Sequence, residues 1–454
     1  MSSFSEYALQ GSRAHLIGIG GVSMSPLAEV LLGQGIKVSG SDMSESEAVV
    51  HLRSLGIPVA IGHSPDNIEG ADYIVRTAAV RDDNPEIAAA HERGIPVFER
   101  AEAWGAIMQA YKNAVCISGT HGKTTTTSMT THILMAADAD PTVMIGGTLP
   151  LLGSGYRVGE GDTIVLESCE YYNSFHCFFP TVAVILNVDA DHLDFFGNLD
   201  NIKASFRKFA SLVPENGFII ANADDENTMD ALAPLGRDIV TFGFSDSAFI
   251  RCTDLDMHGK GSDFTVTAGG ERYAEVSLNI PGRHNVANAL AAAAVAHVLG
   301  LPGSAVRDGL LRFTGAGRRL EFKGKVNGAD VFDDYAHHPG ELHALIDAVT
   351  QLGYKRVICA FQPHTYSRTK AHLEAFASEL SRVDKAFIAD IYAAREINTF
   401  GISSADLAAL IPGAVYCGSL ENIEKSLLAE ARPGDIILTV GAGNIYKAGE
   451  AIVG

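Results

Sequence analysis

The sequence predicts an α/β protein of three domains, each organised around a mainly parallel sheet. Three observations carry this. Apolar runs of strand length alternate with helical patterns almost throughout, two of the strands pass through glycine turns directly into helices, and the alternation restarts twice. The first block, residues 1–108, has a strand at 14–19, a glycine turn, a helix at 25–34 and strands at 36–39, 73–75 and 96–98. The second, residues 109–317, restarts with a strand at 114–118 and continues with strands at 163–166, 182–187 and 218–221. Between residues 249 and 278 its pattern changes to glycine-punctuated alternation, which reads as antiparallel hairpins, and an alanine-rich helix after Pro281 closes it. The third, residues 318–454, holds strands at 330–332, 357–361, 386–389 and 436–440, separated by helices.

Composition narrows the function. With 34 basic and 54 acidic residues the net charge is −20, which repels nucleic acid and anionic membrane. A polyphosphate ligand must then be held by local loops and Mg²⁺. The six cysteines are scattered with no C-x-x-C pair, as expected of free, largely buried thiols in a reducing compartment. The N-terminal stretch lacks an apolar signal core and no run of 18 apolar residues occurs, so the expectation is a cytoplasmic protein without membrane insertion. Residues 287–299 come nearest, but Asn288 and His297 interrupt them.

The most specific motif is Gly119-Thr120-His121-Gly122-Lys123-Thr124-Thr125, following a strand and opening a helix. Loop and helix amides point at an anion, Lys123 adds charge, and the Thr124 hydroxyl suits Mg²⁺. It is shorter than a Walker loop, whose earlier glycine would fall at Ile117. Gly18-Ile19-Gly20-Gly21-Val22-Ser23 also joins a strand to a helix, and Asp42 follows the next strand. That context fits a dinucleotide fingerprint, yet Ser23 stands at the third glycine position, so NAD(P) binding and a plain structural turn both remain open. Glu167 and His192 follow strands of the second block, where an open parallel sheet places its ligand crevice. Glu167 suits a hard cation, with Glu170 as a competitor, whereas His192 alone reads more readily as a loop residue than as a ligand.

The motifs HLIGIGGVSMSPLA, VSGSD, GTHGKTTTT, DADHLD, PGRHNVANA, DDYAHHP and FQPHTYSRT, spread over most of the chain, resemble the Mur ligase family in content and order, and its alanine-adding branch in particular. The resemblance implies a Rossmann-like UDP-binding domain, a central P-loop-type ATPase domain with a small antiparallel element, and a Rossmann-like C-terminal domain. It places the diphosphate of a UDP-sugar at Gly18, Gly20 and Gly21, with Ser41 and Asp42 near the uridine. Gly62-His63 and Arg76-Thr77-Ala78 would be further contacts, although His63 reads equally as a surface residue. ATP falls to Gly119 through Thr125, Asn288, Arg319 and Asp334, with His284 and Asn285 near the adenine, and Arg318-Arg319 together read as a basic pair for its phosphates. Thr124, Glu167 and His192 would serve Mg²⁺ and the transferring phosphoryl group. His337 and Arg368 match residues near the carboxylate and the incoming amino acid, and Ser174-Phe175 a substrate-side motif. Two departures stand out. Thr365 occupies a position where the family often has Arg, and Arg207 stands where sister enzymes carry a carbamylated Lys.

The implied activity is ATP-dependent ligation of L-alanine to UDP-N-acetylmuramate through an acyl phosphate. A tripeptide-recycling ligase acting on the same sugar is the competitor within the class, but this chain lacks its insertion near residues 167–192. A nucleotide-sugar or NAD(P) oxidoreductase explains the first block alone. A non-catalytic nucleotide sensor is disfavoured by the joint presence of Lys123, Thr124, Glu167 and His192.

Overall fold

The computed structural model describes residues 3–77, 80–394 and 396–453. It divides into two compact units: residues 1–188, 203–241 and 294–301 form one, and residues 189–202, 242–293 and 302–454 the other. The first two sequence blocks thus share most of one unit, while the segment carrying His192 belongs to the unit of the C-terminal sheet.

The first unit begins with five parallel strands: β1 (Arg13–Ile17), β2 (Lys37–Asp42), β3 (Val59–Ile61), β4 (Tyr73–Arg76) and β5 (Val97–Glu99), in the order β3-β2-β1-β4-β5. Helices α1 (Met24–Gly33), α2 (Glu47–Ser54), α3 (Pro85–Glu92) and α4 (Arg100–Met108) accompany them. Strand β1 stops two residues short of the expected end. The Gly18 and Ile19 amides turn aside to bond the Ser41 carbonyl at 2.8 and 3.0 Å, which starts the glycine loop.

A second sheet follows, with β6 (Asn113–Ser118), β7 (Thr142–Leu149), β8 (Ser154–Arg157), β9 (Thr163–Glu167), β10 (Val182–Ile185) and β11 (Phe218–Asn222) in the order β11-β10-β6-β9-β7-β8. Only the β7–β8 pair is antiparallel among these. Helix α5 (Lys123–Ala136) leaves the end of β6 and is buried from Thr124 through Leu134. A run of threonines is a poor helix former in isolation. Burial overrides that preference, and two of the hydroxyls bond back into the helix: Thr127 and Thr131 donate to the carbonyls four residues earlier, each at 2.8 Å.

Strand β12 (Ile239–Gly243) carries the chain from one unit to the other. The expected hairpins are there as an antiparallel meander of β13 (Ile250–His258), β14 (Gly261–Ala268) and β15 (Glu271–Leu278). The last sheet comprises β16 (Glu321–Val326), β17 (Ala329–Asp334), β18 (Arg356–Phe361), β19 (Lys385–Ala389), β20 (Val415–Gly418) and β21 (Asp435–Val440), ordered β16-β17-β21-β18-β19-β20. Side chains of β18 alternate between two cores: Val357, Cys359 and Phe361 in one, Ile358 and Ala360 in the other. Helices cover both faces, which is why this strand reads as a continuous apolar run.

All six cysteines are free, and three of them (Cys116, Cys252 and Cys359) are buried, while Cys169 is exposed. Among the described residues no helix is long and apolar enough to cross a membrane.

Candidate active site

The head of α5 is built for an anion. Gly122 precedes the helix at φ +83°, and a Cβ on Gly119 would stand 2.9 Å from Leu186 Cβ, so both positions call for glycine. Asn187 grips the loop from the neighbouring strand end. Its Oδ1 accepts from the His121 amide at 2.7 Å, its Nδ2 donates to the His121 carbonyl at 3.1 Å, and its own carbonyl accepts from the Thr120 amide at 3.1 Å. This is why β10 ends at Ile185 and not at residue 187. The start of any helix carries amides without partners inside the helix, which favours an anion at such a position.

Lys123 folds over this loop. Its Nζ lies 3.0 Å from Glu170 Oε2 and donates to the Thr120 carbonyl at 3.2 Å and to that of Gly119. Burial opposes its charge, but Glu170, with Cys169 and Glu167 behind it, outweighs burial and raises the ammonium pKa. Thr124 is buried beside Thr125, and its hydroxyl donates to Glu167 Oε1 at 3.1 Å. The two carboxylates thereby separate. Glu167 faces the Thr124 hydroxyl, while Glu170 pairs with the lysine.

The first glycine loop closes on itself and on Asp42. Gly21 N–H bonds the Gly18 carbonyl at 3.1 Å, and Gly20 N–H donates to Asp42 Oδ2 at 2.9 Å. Trp104 Nε1 donates to the Ser23 carbonyl at 3.2 Å and Arg100 to the Ser23 hydroxyl, fixing the start of α1. Ser41 is fully buried and donates to Glu86 Oε2 at 2.6 Å, so its hydroxyl serves the interior. His63 Nδ1 joins the same carboxylate at 3.2 Å, and Asn67 donates to its other oxygen at 2.5 Å. Burial opposes ionisation of Glu86, yet hydrogen bonds from His15, Ser41 and Asn67 bring its pKa down to about 2. A depressed carboxylate contributes stability above its ordinary value near 4.5 that is lost as pH falls toward 2. Glu86→Gln should therefore flatten acid unfolding of the protein over that window, measured by circular dichroism. Arg76 pairs with Glu99 at 2.8 Å and with Asp82. Ala78, the last residue of that expected contact, lies outside the described residues.

Asp42 supplies a separable test. Removing its grip on the Gly20 amide should weaken a UDP-sugar about tenfold, as expected for loss of one charge-assisted hydrogen bond, and leave ATP unchanged. Paired titrations of Asp42→Ala with the two nucleotides read the difference; a larger loss for ATP reverses the division of labour between the two loops.

In the second unit, Asp191 organises the groups expected near the carboxylate and amino acid. Arg368 Nη2 donates to its Oδ1 at 2.9 Å and Nε does so at 3.2 Å. His192 adopts φ +52°, its amide donates to the same oxygen at 2.8 Å, and its Nε2 stands 3.8 Å from Oδ2. Burial resists the charge on Asp191, but Arg368, His192 and His337 hold its pKa far below the usual range. His337 lies 5.8 Å from the His364 ring, and its Nδ1 lies 3.1 Å from the Tyr335 carbonyl and 3.2 Å from Glu341. Burial lowers the pKa of His337, and takes that of His364 down to about 3 with help from His337 and Arg368. Thr365, at φ +65°, sets its hydroxyl 3.4 Å from that of Ser367 and places no cation here.

The residues expected to contact the nucleotide in this unit are engaged within the protein. Asp334 is buried, accepting from the Leu320 amide at 2.7 Å and the Ala336 amide at 2.8 Å, and burial pushes its pKa up to about 6. Arg318 turns inward, onto Asp333 at 2.8 Å and the Gly441 and Gly443 carbonyls, so it does not reach out as half of a basic pair. Arg319 lies over the Tyr335 ring at 5.3 Å. Asn285, in the first turn of its helix, donates to the Pro281 carbonyl at 2.7 Å, and Asn288 donates to Asn285 Oδ1 at 3.3 Å. Burial takes His284 down to about 4. Phe175, expected on the substrate side, is instead fully buried and stacked on Phe209 at 4.5 Å. Arg207 donates to the Ala231 carbonyl at 2.8 Å, a structural use of that position.

Family models match along the chain: the Mur ligase family catalytic domain at residues 13–112, the Mur ligase middle domain at 117–296, and the Mur ligase glutamate ligase domain at 318–443. The chain belongs to the Mur ligase family. Among its relatives is the UDP-N-acetylmuramate–L-alanine ligase of Caldanaerobacter subterraneus subsp. tengcongensis, 47% identical over 96% of both chains. That of Clostridium novyi is 44% identical over 99% of this chain and 98% of its own. The crystal structure of UDP-N-acetylmuramate-alanine ligase from Thermotoga maritima superposes with a TM-score of 0.81 at 30% identity, covering 97% of this chain and 98% of that one. A murein peptide ligase from Psychrobacter arcticus shares the fold, with a TM-score of 0.70 at 24% identity over 98% of this chain and all of the other.

Within this Mur ligase framework, the residues that sequence reasoning passed over are supporting ones: Asn187, Glu86 and Asp191. Asn187 alone carried a legible signal, as a polar residue at the strand end beside a phosphate loop.

Proposed function

We propose that the chain joins L-alanine to the lactyl carboxylate of UDP-N-acetylmuramate at the expense of ATP, a cytoplasmic step of peptidoglycan synthesis. The observation that carries this reading is full-length likeness to ligases named for that reaction, at 42–47% identity. It favours the alanine ligase over the tripeptide-recycling alternative, and it leaves no place for the oxidoreductase reading. We divide the chain functionally near residues 108 and 317, into parts for the UDP-sugar, for ATP, and for ATP together with the amino acid.

The chemistry runs in two steps. A lactyl carboxylate oxygen attacks the γ-phosphorus, the bond to the bridging oxygen breaks, and ADP leaves. The amine of L-alanine then attacks the acyl carbon, gives up a proton, and inorganic phosphate departs from the tetrahedral intermediate. Positioning and charge stabilisation dominate phosphoryl transfer. The loop from Gly119 to Thr125 cradles the phosphates, and Lys123 exchanges Glu170 for the β- and γ-phosphate oxygens. Asn288, Arg319 and Asp334 take the adenine, phosphate and ribose. Gly18, Gly20, Gly21 and Asp42 hold the UDP diphosphate and its uridine end, with Ser41 acting behind them through Glu86.

Thr124 and Glu167 fit Mg²⁺, because a hydroxyl and a carboxylate oxygen 3.1 Å apart offer hard donors to a hard cation. We assign His192 to a second ion. Bound Mg²⁺ supplies charge neutralisation on the transferring phosphoryl group. Arg368 receives the amino-acid carboxylate. His337, whose lowered pKa keeps it neutral at neutral pH, accepts the amine proton.

The deciding assay measures ADP release with UDP-N-acetylmuramate, with and without L-alanine, against the tripeptide as rival acceptor. Turnover that requires L-alanine is the expected result; turnover with the tripeptide alone overturns it.

A further inference from the structure

Both oxygens of the Glu167 carboxylate are engaged. Oε1 accepts the Thr124 hydroxyl at 3.1 Å, and Oε2 accepts the Gly146 backbone N–H at 2.7 Å. Gly146 lies in β7, beside β9, the strand that ends in Glu167. Parallel pairing of these strands runs from Thr142↔Ile164 to Met144↔Leu166 and stops before Gly146. On the other edge, the β7–β8 register shifts between Met144 and Leu149. The irregularity frees the Gly146 amide from the ladder and turns it to a side chain, the re-aiming role such irregularities serve beside active sites.

Close approach also fixes the residue type. A Cβ at position 146 would stand 2.5 Å from Glu167 Oε1 and 2.8 Å from its Cδ and Oε2. The outer strand of the hairpin is anchored at a distance: the Tyr156 hydroxyl donates to Glu29 on α1, and His51 Nε2 meets the same carboxylate at 3.1 Å. Helix α1 is the one that follows the Gly18–Ser23 loop. A carboxylate held at one oxygen swings about its last torsion, which is broad and soft; held at both, it has one orientation.

We propose that Gly146 is a positioning residue whose amide aims the Glu167 carboxylate at the Thr124 hydroxyl, and that the β7–β8 hairpin, clasped to α1 through Tyr156, keeps that amide in place. This rests on Glu167 serving the metal-bound phosphates. Phosphoryl transfer tolerates little misplacement, so crowding or releasing Glu167 acts on the chemical step and on the metal more than on substrate capture.

The test compares Gly146→Ala, Glu167→Gln, their double variant and Tyr156→Phe in the full chain. Mn²⁺ binding is read by electron paramagnetic resonance with a non-hydrolysable ATP analogue, alongside kcat and KM. Gly146→Ala should weaken Mn²⁺ and lower kcat, each about tenfold or more, with KM for UDP-N-acetylmuramate changed by less than about twofold. The double variant should be no worse than Glu167→Gln, since one residue acts through the other. Tyr156→Phe, which crowds nothing, should shift Mn²⁺ in the same direction by a few-fold, and it decides the matter if Gly146→Ala fails to fold. Normal Mn²⁺ affinity in Gly146→Ala, or additive losses in the double variant, overturns the proposal while leaving Glu167's role intact. Normal Mn²⁺ affinity in Glu167→Gln overturns the underlying reading of Glu167 itself.

Discussion

Lys123→Ala is expected to lose ATP-dependent turnover by about 10³-fold, the scale on which removing one preorganised charge stabiliser acts, while UDP-sugar binding stays near normal. Lys123 is held by Glu170 at 3.0 Å and by two carbonyls of its own loop, so the ammonium is fixed over that loop. The UDP-sugar loop from Gly18 to Ser23 shares no hydrogen bond with it among the described residues. Substituting alanine also leaves the buried Glu170 without its cation, which burial penalises. A Glu170→Gln partner variant removes that penalty and should restore folding stability without restoring turnover. Near-normal ADP release from a folded Lys123→Ala protein would sink the phosphate-loop assignment.

The second large effect concerns His192. His192→Ala should cut acyl-phosphate formation about a hundredfold or more, since electrostatic stabilisation of the transferring group dominates this chemistry. ATP binding should fall far less, because Thr124 and Glu167 are untouched. The Mg²⁺ requirement should shift upward or lose its second phase. Trapping the acyl phosphate without L-alanine gives the readout. Normal trapping with failure only after L-alanine is added would move His192 to the amine step. The amide bond from His192 to Asp191 involves the backbone alone and is available to alanine, so the variant chiefly probes the imidazole.

The frame of the molecule was legible because a parallel sheet covered on both faces writes itself as repeated apolar runs, as in β6, β18 and β21. Strands that pair at edges or lie half-exposed left no such trace: β8 is Ser-Gly-Tyr-Arg, and β20 is largely exposed. The phosphate loop was legible because strand, glycine turn, Lys-Thr and helix are contiguous. Orientation was not. Ser41 turns to Glu86, 45 positions away, Arg318 turns to Asp333, and Phe175 turns into the core against Phe209. Residue type announced each of them as a contact, whereas partners distant in sequence decided where they point. Gly146 lay beyond reach for a different reason. A backbone amide has no letter of its own.

The Lys123–Glu170 pair has a consequence for how the enzyme rests between turnovers. The loop carries its own counter-ion at a fixed effective concentration, so its nucleotide-ready shape does not depend on an anion borrowed from solution. Sulfate or inorganic phosphate must outcompete a tethered carboxylate and a pair of carbonyls to occupy it. A nucleoside triphosphate does so with several oxygens together, while the other end of the nucleotide is anchored elsewhere. On the phosphate role proposed for Lys123, the pair sets a threshold that favours a polyphosphate over weak single anions.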